Sequence, residues 1–334
     1  MLLKMNNIAI IIGTRPEYIK CFPLLKSSNR YKLVYVQQHT DLVKLDLEHE
    51  IVPIQEYGEN RLNNIISSIL HSRILDKSWD AIMVQGDTVV AFAAALSAFN
   101  KNIEVIHLEA GLRTYDTKNP FPEEGYRKMI DCISSYGLCP SQQSVCNNIK
   151  EGFCGQLVNV GNTSIDAISK YNLIPKITNK VLVTLHRREN WDLIEGFFEA
   201  IEFLANKYTE LEFILPIHPN PLITKHASIF KKVKVIQPLD HKSLCIIMAD
   251  CNTIISDSGG IQEEAAYLGK KIFCCRKTTE RSELLDTYVI LTPTPEILIN
   301  TFLPQTSQLP KSLVYGDGDS CIKINEFMIT LTRS

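Results

Sequence analysis

Thr253-Ile254-Ile255-Ser256-Asp257-Ser258-Gly259-Gly260-Ile261-Gln262-Glu263-Glu264 decides the fold, because it joins a strand to a helix through a glycine pair. Its first four residues are a short run bounded by a turn signal, which reads as a buried strand. Ser258, Gly259 and Gly260 then open a helix whose first N–H groups are unhindered by side chains, the cradle a diphosphate needs. Glu264, a turn further on, can accept hydrogen bonds from both hydroxyls of a ribose. After the next strand, Arg281 in Thr278-Thr279-Glu280-Arg281 adds a cation.

The same unit recurs outward from this stretch. Around it, strands are expected at Val181–Leu185, Glu212–Ile217, Val233–Pro238, Lys271–Cys275 and Val289–Leu291. An earlier series is expected at Ile8–Ile12, Lys32–Gln37, Ala81–Gln85, Glu104–Leu108, Gly137–Cys139 and Leu157–Val160, with amphipathic helical stretches between. Alternation of this kind implies βαβ units and parallel sheets covered on both faces. The polar, Pro-containing stretch Asn172–Lys180 separates the two series. The fold class is therefore α/β, with two Rossmann-like doubly wound domains. A tail with helical spacing, Ser320–Thr332, follows the turn Tyr315-Gly316-Asp317-Gly318 and can pack on either.

Length and composition agree. The 334 residues suffice for about two domains. With 35 Lys plus Arg against 37 Asp plus Glu, the formal charge is −2, and no basic excess exists to hold nucleic acid. The longest apolar runs, Ile8–Ile12 and Ala91–Ala95, fall short of the ~20 residues a bilayer span needs. Met1–Ile12 leads directly into Gly13 without a cleavable apolar region, which predicts a cytoplasmic protein. The ten cysteines have no C-x-x-C pair, so buried reduced thiols are expected and no metal ligand set.

In such sheets ligands bind beyond the carboxyl ends of the strands. The first strand ends in Gly13-Thr14-Arg15-Pro16-Glu17, which sets Arg15 beside a helix N-terminus suited to anions. Asp87, after Ala81–Gln85, is either a helix cap or a catalytic group. Glu109, after Glu104–Leu108, is either functional or half of a Glu109–Arg113 salt bridge, since a carboxylate there is costly to desolvate. Glu123 opens the next helix, where acidic residues also suit the dipole. Together, three carboxylates at the mouths of one sheet can supply acid and base groups on two sides of one substrate. In the second series His186 stands beside Arg187 and Arg188, suited to an anionic ligand, and His218 ends another strand.

These strings resemble the bacterial UDP-N-acetylglucosamine 2-epimerases of the non-hydrolysing type. The resemblance is carried by Gly-Thr-Arg-Pro-Glu at 13–17, Gly-Asp-Thr at 86–88, His-Leu-Glu-Ala-Gly-Leu-Arg-Thr at 107–114 and Pro-Glu-Glu at 122–124. It continues in Gly-Asn-Thr-Ser-Ile-Asp at 161–166, His-Arg-Arg-Glu-Asn at 186–190, Asp-Ser-Gly-Gly-Ile-Gln-Glu-Glu-Ala at 257–265, Thr-Thr-Glu-Arg at 278–281 and Tyr-Gly-Asp-Gly at 315–318. It implies a glycosyltransferase-B-like fold and a homodimer. Residues 1–170 would carry the catalytic carboxylates, 171–318 would bind UDP, and 319–334 would be a helix crossing back to the first domain. By the same resemblance Asp87, Glu109, Glu123 and His186 are catalytic. Arg15, His218, Ser258, Gly259, Gly260, Glu264 and Arg281 hold the nucleotide. Lys20, Arg113 and Arg127 are further substrate-binding cations.

The chemistry such an enzyme performs explains these groups. C2 of the sugar has no adjacent carbonyl, so loss of UDP from C1 must come first. The resulting oxocarbenium character acidifies the C2 proton, and its removal leaves a glycal. Re-addition of UDP with protonation from the other face inverts C2. No metal or nicotinamide cofactor is expected, since Gly-x-Gly-x-x-Gly is missing after the first strand. Some positions depart from the family pattern: Gly125-Tyr126 before Arg127, Ser282 in place of proline, Ser141 in place of threonine. After Gln38-His39, Asp41 stands where members activated by a second UDP-sugar often carry Gln. Such changes suit a diacetamido sugar or its uronic acid as an alternative substrate. A hydrolysing epimerase is a second alternative, against which Pro16 argues. A glycosyltransferase has little use for three carboxylates, and a sugar-nucleotide sensor would be expected to lose them.

Overall fold

The computed structural model describes residues 3–37 and 45–333, so Gln38, His39 and Asp41 lie outside the described residues. The chain divides into two compact units, Met1–Ala167 with Val314–Ser334, and Ile168–Leu313. The passages fall slightly before the boundaries at 170 and 318 read from the sequence.

The first unit opens with the two-residue strand β1 (Leu3–Lys4), then β2 (Ile8–Ile12), α1 (Arg15–Ser27), β3 (Tyr31–Gln37) and β4 (His49–Pro53). It continues with α2 (Arg61–Leu70), β5 (Ala81–Gln85), α3 (Val89–Asn100), β6 (Glu104–Leu108) and α4 (Glu123–Ile133). β7 (Tyr136–Cys139), α5 (Gln142–Lys150), β8 (Gln156–Asn159) and α6 (Thr163–Ser169) complete the series. The sheet order is β4-β3-β2-β5-β6-β7-β8, every pair parallel.

β2 and β5 are buried at all five positions, as strands covered on both faces must be. Their alternation sorts side chains into two layers. Ile8, Ile10 and Ile12 face a layer with Cys21 and Leu24 of α1. Ala9 and Ile11 face one with Ile65 of α2 and Val90, Ala93 and Ala94 of α3. After β4, α2 ends at Leu70, and a separate 3₁₀ turn, Arg73–Asp76, follows behind the Ser72 cap.

The second unit runs β9 (Lys180–Thr184), α7 (Ile194–Lys207), β10 (Glu212–Pro216), the single turn α8 (Pro221–Thr224), β11 (Lys234–Ile236) and α9 (His241–Ala249). β12 (Thr253–Ser256), α10 (Gly259–Tyr267), β13 (Lys271–Cys274), β14 (Val289–Leu291) and α11 (Pro295–Thr301) follow. Its sheet, β11-β10-β9-β12-β13-β14, is again all parallel. Val181 and Val183 pack with Phe197, Phe198, Phe213, Phe273 and Phe302 in its core. The buried ammonium of Lys270 donates to the carbonyls of Lys176 (2.5 Å) and Cys251 (2.7 Å), tying the stretch before β9 to this core.

The chain ends in α12 (Ser320–Thr330) and β15 (Thr332–Arg333), which pairs antiparallel with β1. Ile324 and Met328 of α12 join the layer of Ile8 and Leu24, so the terminal helix completes the first unit's cover. Buried Asp166 accepts the N–H groups of Ser320 (3.1 Å) and Cys321 (2.8 Å), supplying the cap that Asp319 does not. Seven thiols are buried as expected, but Cys132, Cys146 and Cys154 are exposed, since they fall on the outer faces of α4 and α5 and in the turn beyond. No helix among the described residues is long and apolar enough to cross a membrane.

Candidate active site

Each strand order reverses at one point, between β2 and β5 in the first unit and between β9 and β12 in the second. Loops leaving the carboxyl ends of neighbouring strands there diverge to opposite faces and leave a crevice for ligand. Several sequence-predicted residues lie just past these strands: Arg15 after β2, Asp87 after β5, His186 after β9 and Ser258 to Gly260 after β12.

In the first unit the loop after β2 is built by a capping box. Thr14 and Glu17 bond reciprocally at the start of α1, with Pro16 in its first turn. Arg15 is exposed at this helix start. Buried Glu17 accepts N–H groups from Gly13 (2.8 Å) and Thr14 (2.6 Å), and its other oxygen accepts the Thr88 hydroxyl (2.6 Å). That bond ties the loop after β2 to the loop after β5. Burial raises the Glu17 pKa despite these hydrogen bonds, which pull the other way.

Glu109 stands one residue past β6 with φ of 73°. A left-handed conformation costs a non-glycine residue about 1–3 kcal/mol and persists where the surroundings over-determine it. Here Lys20 Nζ reaches its carboxylate at 2.7 Å, while Gln85 and Asn162 each donate an amide N–H at 2.5 Å. Only 7% of the residue is exposed, so this buried carboxylate is paired with a cation and two amide donors. Gly86 is also left-handed, with φ of 68°, a backbone that favours glycine, and Glu109 Oε2 lies in ordinary contact range of it.

Asp87 is half-buried beside it in sequence and engages Arg127 through Nε at 3.1 Å and through Nη2. Arg127 Nη1 bonds buried Glu124 at 2.9 Å. Arg127 therefore orients an acid group rather than facing solvent. Glu123 is half-buried at the first position of α4.

Arg113 departs from expectation. Its guanidinium is buried and donates to Glu151 (2.7 Å), Asp131 (2.6 Å), Asn148 (3.0 Å) and the Leu112 carbonyl (2.9 Å). Four of its five donors go to these internal acceptors and none to Glu109, so its main bonding is structural. Asp131 also bonds the Gly111 N–H (3.1 Å) and His107 Nδ1 (2.5 Å), while His107 Nε2 donates to the Gly86 carbonyl (2.8 Å). Burial would raise the Asp131 carboxyl, but His107 and Arg113 outweigh it and hold the carboxyl below its usual range. This buried network anchors the glycine that carries Asp87.

In the second unit, Asp257 directly follows β12 and is fully buried. It accepts the backbone N–H of His186 (3.0 Å) and Arg187 (2.8 Å) and the amide of Asn190 (3.0 Å), shaping the whole loop after β9. His186 Nδ1 lies 3.7 Å from its carboxylate. The ring stacks on His218, centroids 5.6 Å apart and planes 16° off parallel. Burial and the neighbouring His186 hold the His218 imidazole below its ordinary pKa.

The two glycines at the start of α10 serve differently. A Cβ on Gly259 would strike the Arg281 guanidinium at 2.7 Å, whereas one on Gly260 meets nothing within 4 Å. Ser258 makes no side-chain cap hydrogen bond, so the first amides of α10 have no side-chain cap from it. Arg281 beneath them is steadied by Glu263 (2.8 Å) and Glu280. Glu264 is nearly buried and bonds His241 Nε2 at 2.8 Å.

Sequence reading missed Glu17, Gln85, His107, Asp131, Asn162 and Asp257 as parts of these sites. The one local signal for Gln85 was a polar residue closing an otherwise apolar strand.

The profile of the family described as UDP-N-acetylglucosamine 2-epimerase matches residues 31–329. A UDP-N-acetylglucosamine 2-epimerase of Salmonella borreze is 32% identical over 98% of this chain and 99% of that protein. The protein of that description from Neisseria meningitidis serogroup A is 34% identical, over 83% of this chain and 84% of its own length. A crystal structure of UDP-GlcNAc 2-epimerase from Neisseria meningitidis bound to UDP-GlcNAc superposes with a TM-score of 0.86 at 29% identity, covering 97% of this chain and 100% of that one. Likeness of this extent, running through both sheets and the loops at their switch points, makes the chain a member of the UDP-N-acetylglucosamine 2-epimerase family.

Proposed function

We propose that this chain interconverts UDP-GlcNAc and UDP-ManNAc by inverting C2 of the sugar, without releasing UDP into solution. The observation that carries the reading is the pair of differently equipped switch points. One holds Asp87 and Glu109 under the control of Arg127 and Lys20; the other offers uncapped helix amides, Arg281 and a histidine pair. We assign the first unit the acid–base work and the second the nucleotide. The C1–O bond breaks first, its electrons leaving with UDP, whose diphosphate is held by Ser258, Gly259, Gly260 and Arg281. His186, oriented through Asp257, donates its proton to the departing phosphate. A carboxylate among Asp87, Glu109 and Glu123 takes the C2 proton, and the C2–H electrons form the glycal double bond. Re-addition of UDP at C1, with protonation of C2 from the opposite face by another of these groups, completes inversion. Arg15, His218 and Glu264 complete the nucleotide contacts, with Glu264 on the ribose.

The solved relative bound to UDP-GlcNAc supports that substrate. We further propose a cytoplasmic homodimer, for which family membership and ten free thiols speak. The test is incubation with UDP-GlcNAc in D₂O followed by proton NMR. UDP-ManNAc deuterated at C2, with no free sugar accumulating, is the expected product. Free ManNAc with UDP would overturn retention of the nucleotide, and no turnover would overturn the substrate.

A further inference from the structure

Three side chains of different donor type converge in the second unit. α9 opens with His241, and Cys245 lies one turn on, so both stand on one helix face. Glu264 reaches them from α10. His241 Nε2 is 2.8 Å from Glu264 Oε1 and 3.5 Å from Cys245 Sγ, and the three donor atoms lie within 4.8 Å of one another. We propose that His241, Cys245 and Glu264 form a binding site for a thiophilic divalent cation, zinc above all, and that filling it withdraws Glu264 from the nucleotide. The competition rests on Glu264 being the ribose ligand proposed above; the metal site stands on the geometry alone.

One nitrogen, one sulfur and one oxygen are the donor set zinc prefers. In a tetrahedral site with bonds of about 2.0–2.3 Å the ligand atoms sit roughly 3.3–3.8 Å apart. The His241–Cys245 separation already matches, and the His241–Glu264 contact must open by only about half an ångström. The Tyr171 hydroxyl stands 3.1 Å from His241 Nδ1. It can accept the proton there while Nε2 turns its lone pair to the ion, the outer partner that ligating histidines have. Cys245 is buried, whereas the His241 and Glu264 side chains keep 13% and 7% of their surface exposed and offer the ion a way in. On binding, the thiol proton passes to solvent, Glu264 exchanges its bond to His241 for the ion, and nothing is oxidised or reduced. A fourth coordination position remains for water. Such a site is invisible to a search for C-x-x-C, because its third ligand comes from another helix.

Co²⁺ is the probe, since its thiolate complexes absorb through sulfur-to-metal charge transfer. The full chain, titrated under reducing conditions, is expected to develop this band with saturation at one ion per chain and to lose it on adding Zn²⁺. Cys245→Ser should remove the band and Cys154→Ser should keep it. Tyr171→Phe, which spares all three ligands, should weaken cobalt binding about tenfold. No band, or a band surviving in Cys245→Ser, overturns the site. Zinc is expected to lower UDP affinity about tenfold in the parent chain and leave Cys245→Ser unmoved. A cobalt site that forms while zinc leaves UDP affinity unchanged overturns the competition. Failure of UDP to bind the metal-free parent would instead overturn the nucleotide reading, with the cobalt band still deciding the site.

Discussion

The first switch point is lined by carboxylates paired with cations, and the second by helix amides together with a guanidinium and a histidine pair. Around β2 and β5 the groups proposed for acid–base work are carboxylates, each paired with a cation: Glu109 with Lys20, Asp87 with Arg127. Between β9 and β12 the anion-seeking groups are helix amides, and a buried aspartate holds the loop opposite by its N–H groups. Two parallel sheets whose strand order reverses in the same way thus carry differently equipped loops. A shared topology locates a site, and the residues one or two positions past each strand decide its chemistry.

The strongest way to break this division is Glu109→Gln. It is nearly isosteric and leaves the second unit untouched, so turnover should fall about 10²–10⁴-fold while UDP affinity stays close to that of the parent. Steady-state assay beside calorimetric titration with UDP checks it. An equal fall in both would mean the units do not divide the work.

Next comes Arg113→Met, which removes a buried cation from Asp131 and leaves that carboxylate with His107 alone as its charged partner. Breaking a buried ion pair costs about 3–5 kcal/mol, so denaturant unfolding should report a loss of this order with UDP affinity preserved. A stable variant that fails to bind substrate would restore Arg113 as a ligand.

That correction shows where the sequence was legible. β2, β5, β6, β12 and β14 were read to the residue because their apolar runs have sharp ends. β4 was missed: an edge strand of sequence His-Glu-Ile-Val-Pro buries only Val52, so it carries no apolar signature. The β1–β15 pair was also unread, two residues from each end of the chain having no pattern to give. The placement of Asp87, Glu109, His186 and Ser258 just past strand ends was legible. Their supports did not follow, because Gln85 and Asn162 meet Glu109 across 24 and 53 residues of chain. Arg113 was misread for the same reason: its partner Asp131 sits inside a helix, 18 residues on.

Asp257→Asn sharpens the comparison from the other side. It keeps the volume but turns an amide group toward the N–H donors of the loop after β9. An unsatisfied buried donor costs about 1–3 kcal/mol, so UDP affinity should fall roughly five- to hundredfold. Glu109 is untouched, so the chemistry of bound substrate should suffer less than binding does. A greater loss in kcat than in affinity would make Asp257 chiefly the partner of His186.

The smallest effect separates the units by pH. The folded His218 imidazole lies below its ordinary 6.5. The folded state then holds fewer protons, so its contribution is complete above pH 6.5 and is lost as pH falls through the lower folded value. Asp131 lies below its ordinary 3.8, so its contribution is complete above pH 3.8 and is lost only under stronger acid. Glu17 has the opposite sign: raised above 4.5, it favours the fold below pH 4.5 and loses that contribution as pH rises through the raised value. Acidification from neutrality should therefore loosen the second unit first, while the first gains from Glu17 before it loses Asp131. Because the His218 side chain is only partly buried and solvent screens it, the slope below pH 6.5 should be shallow, and His218→Gln should flatten it. Hydrogen exchange read segment by segment across this range checks the order. Earlier opening around β6 and α4 than around β9 and β12 would reverse the assignment, because it would put the stronger proton dependence in the unit whose charges are already paired.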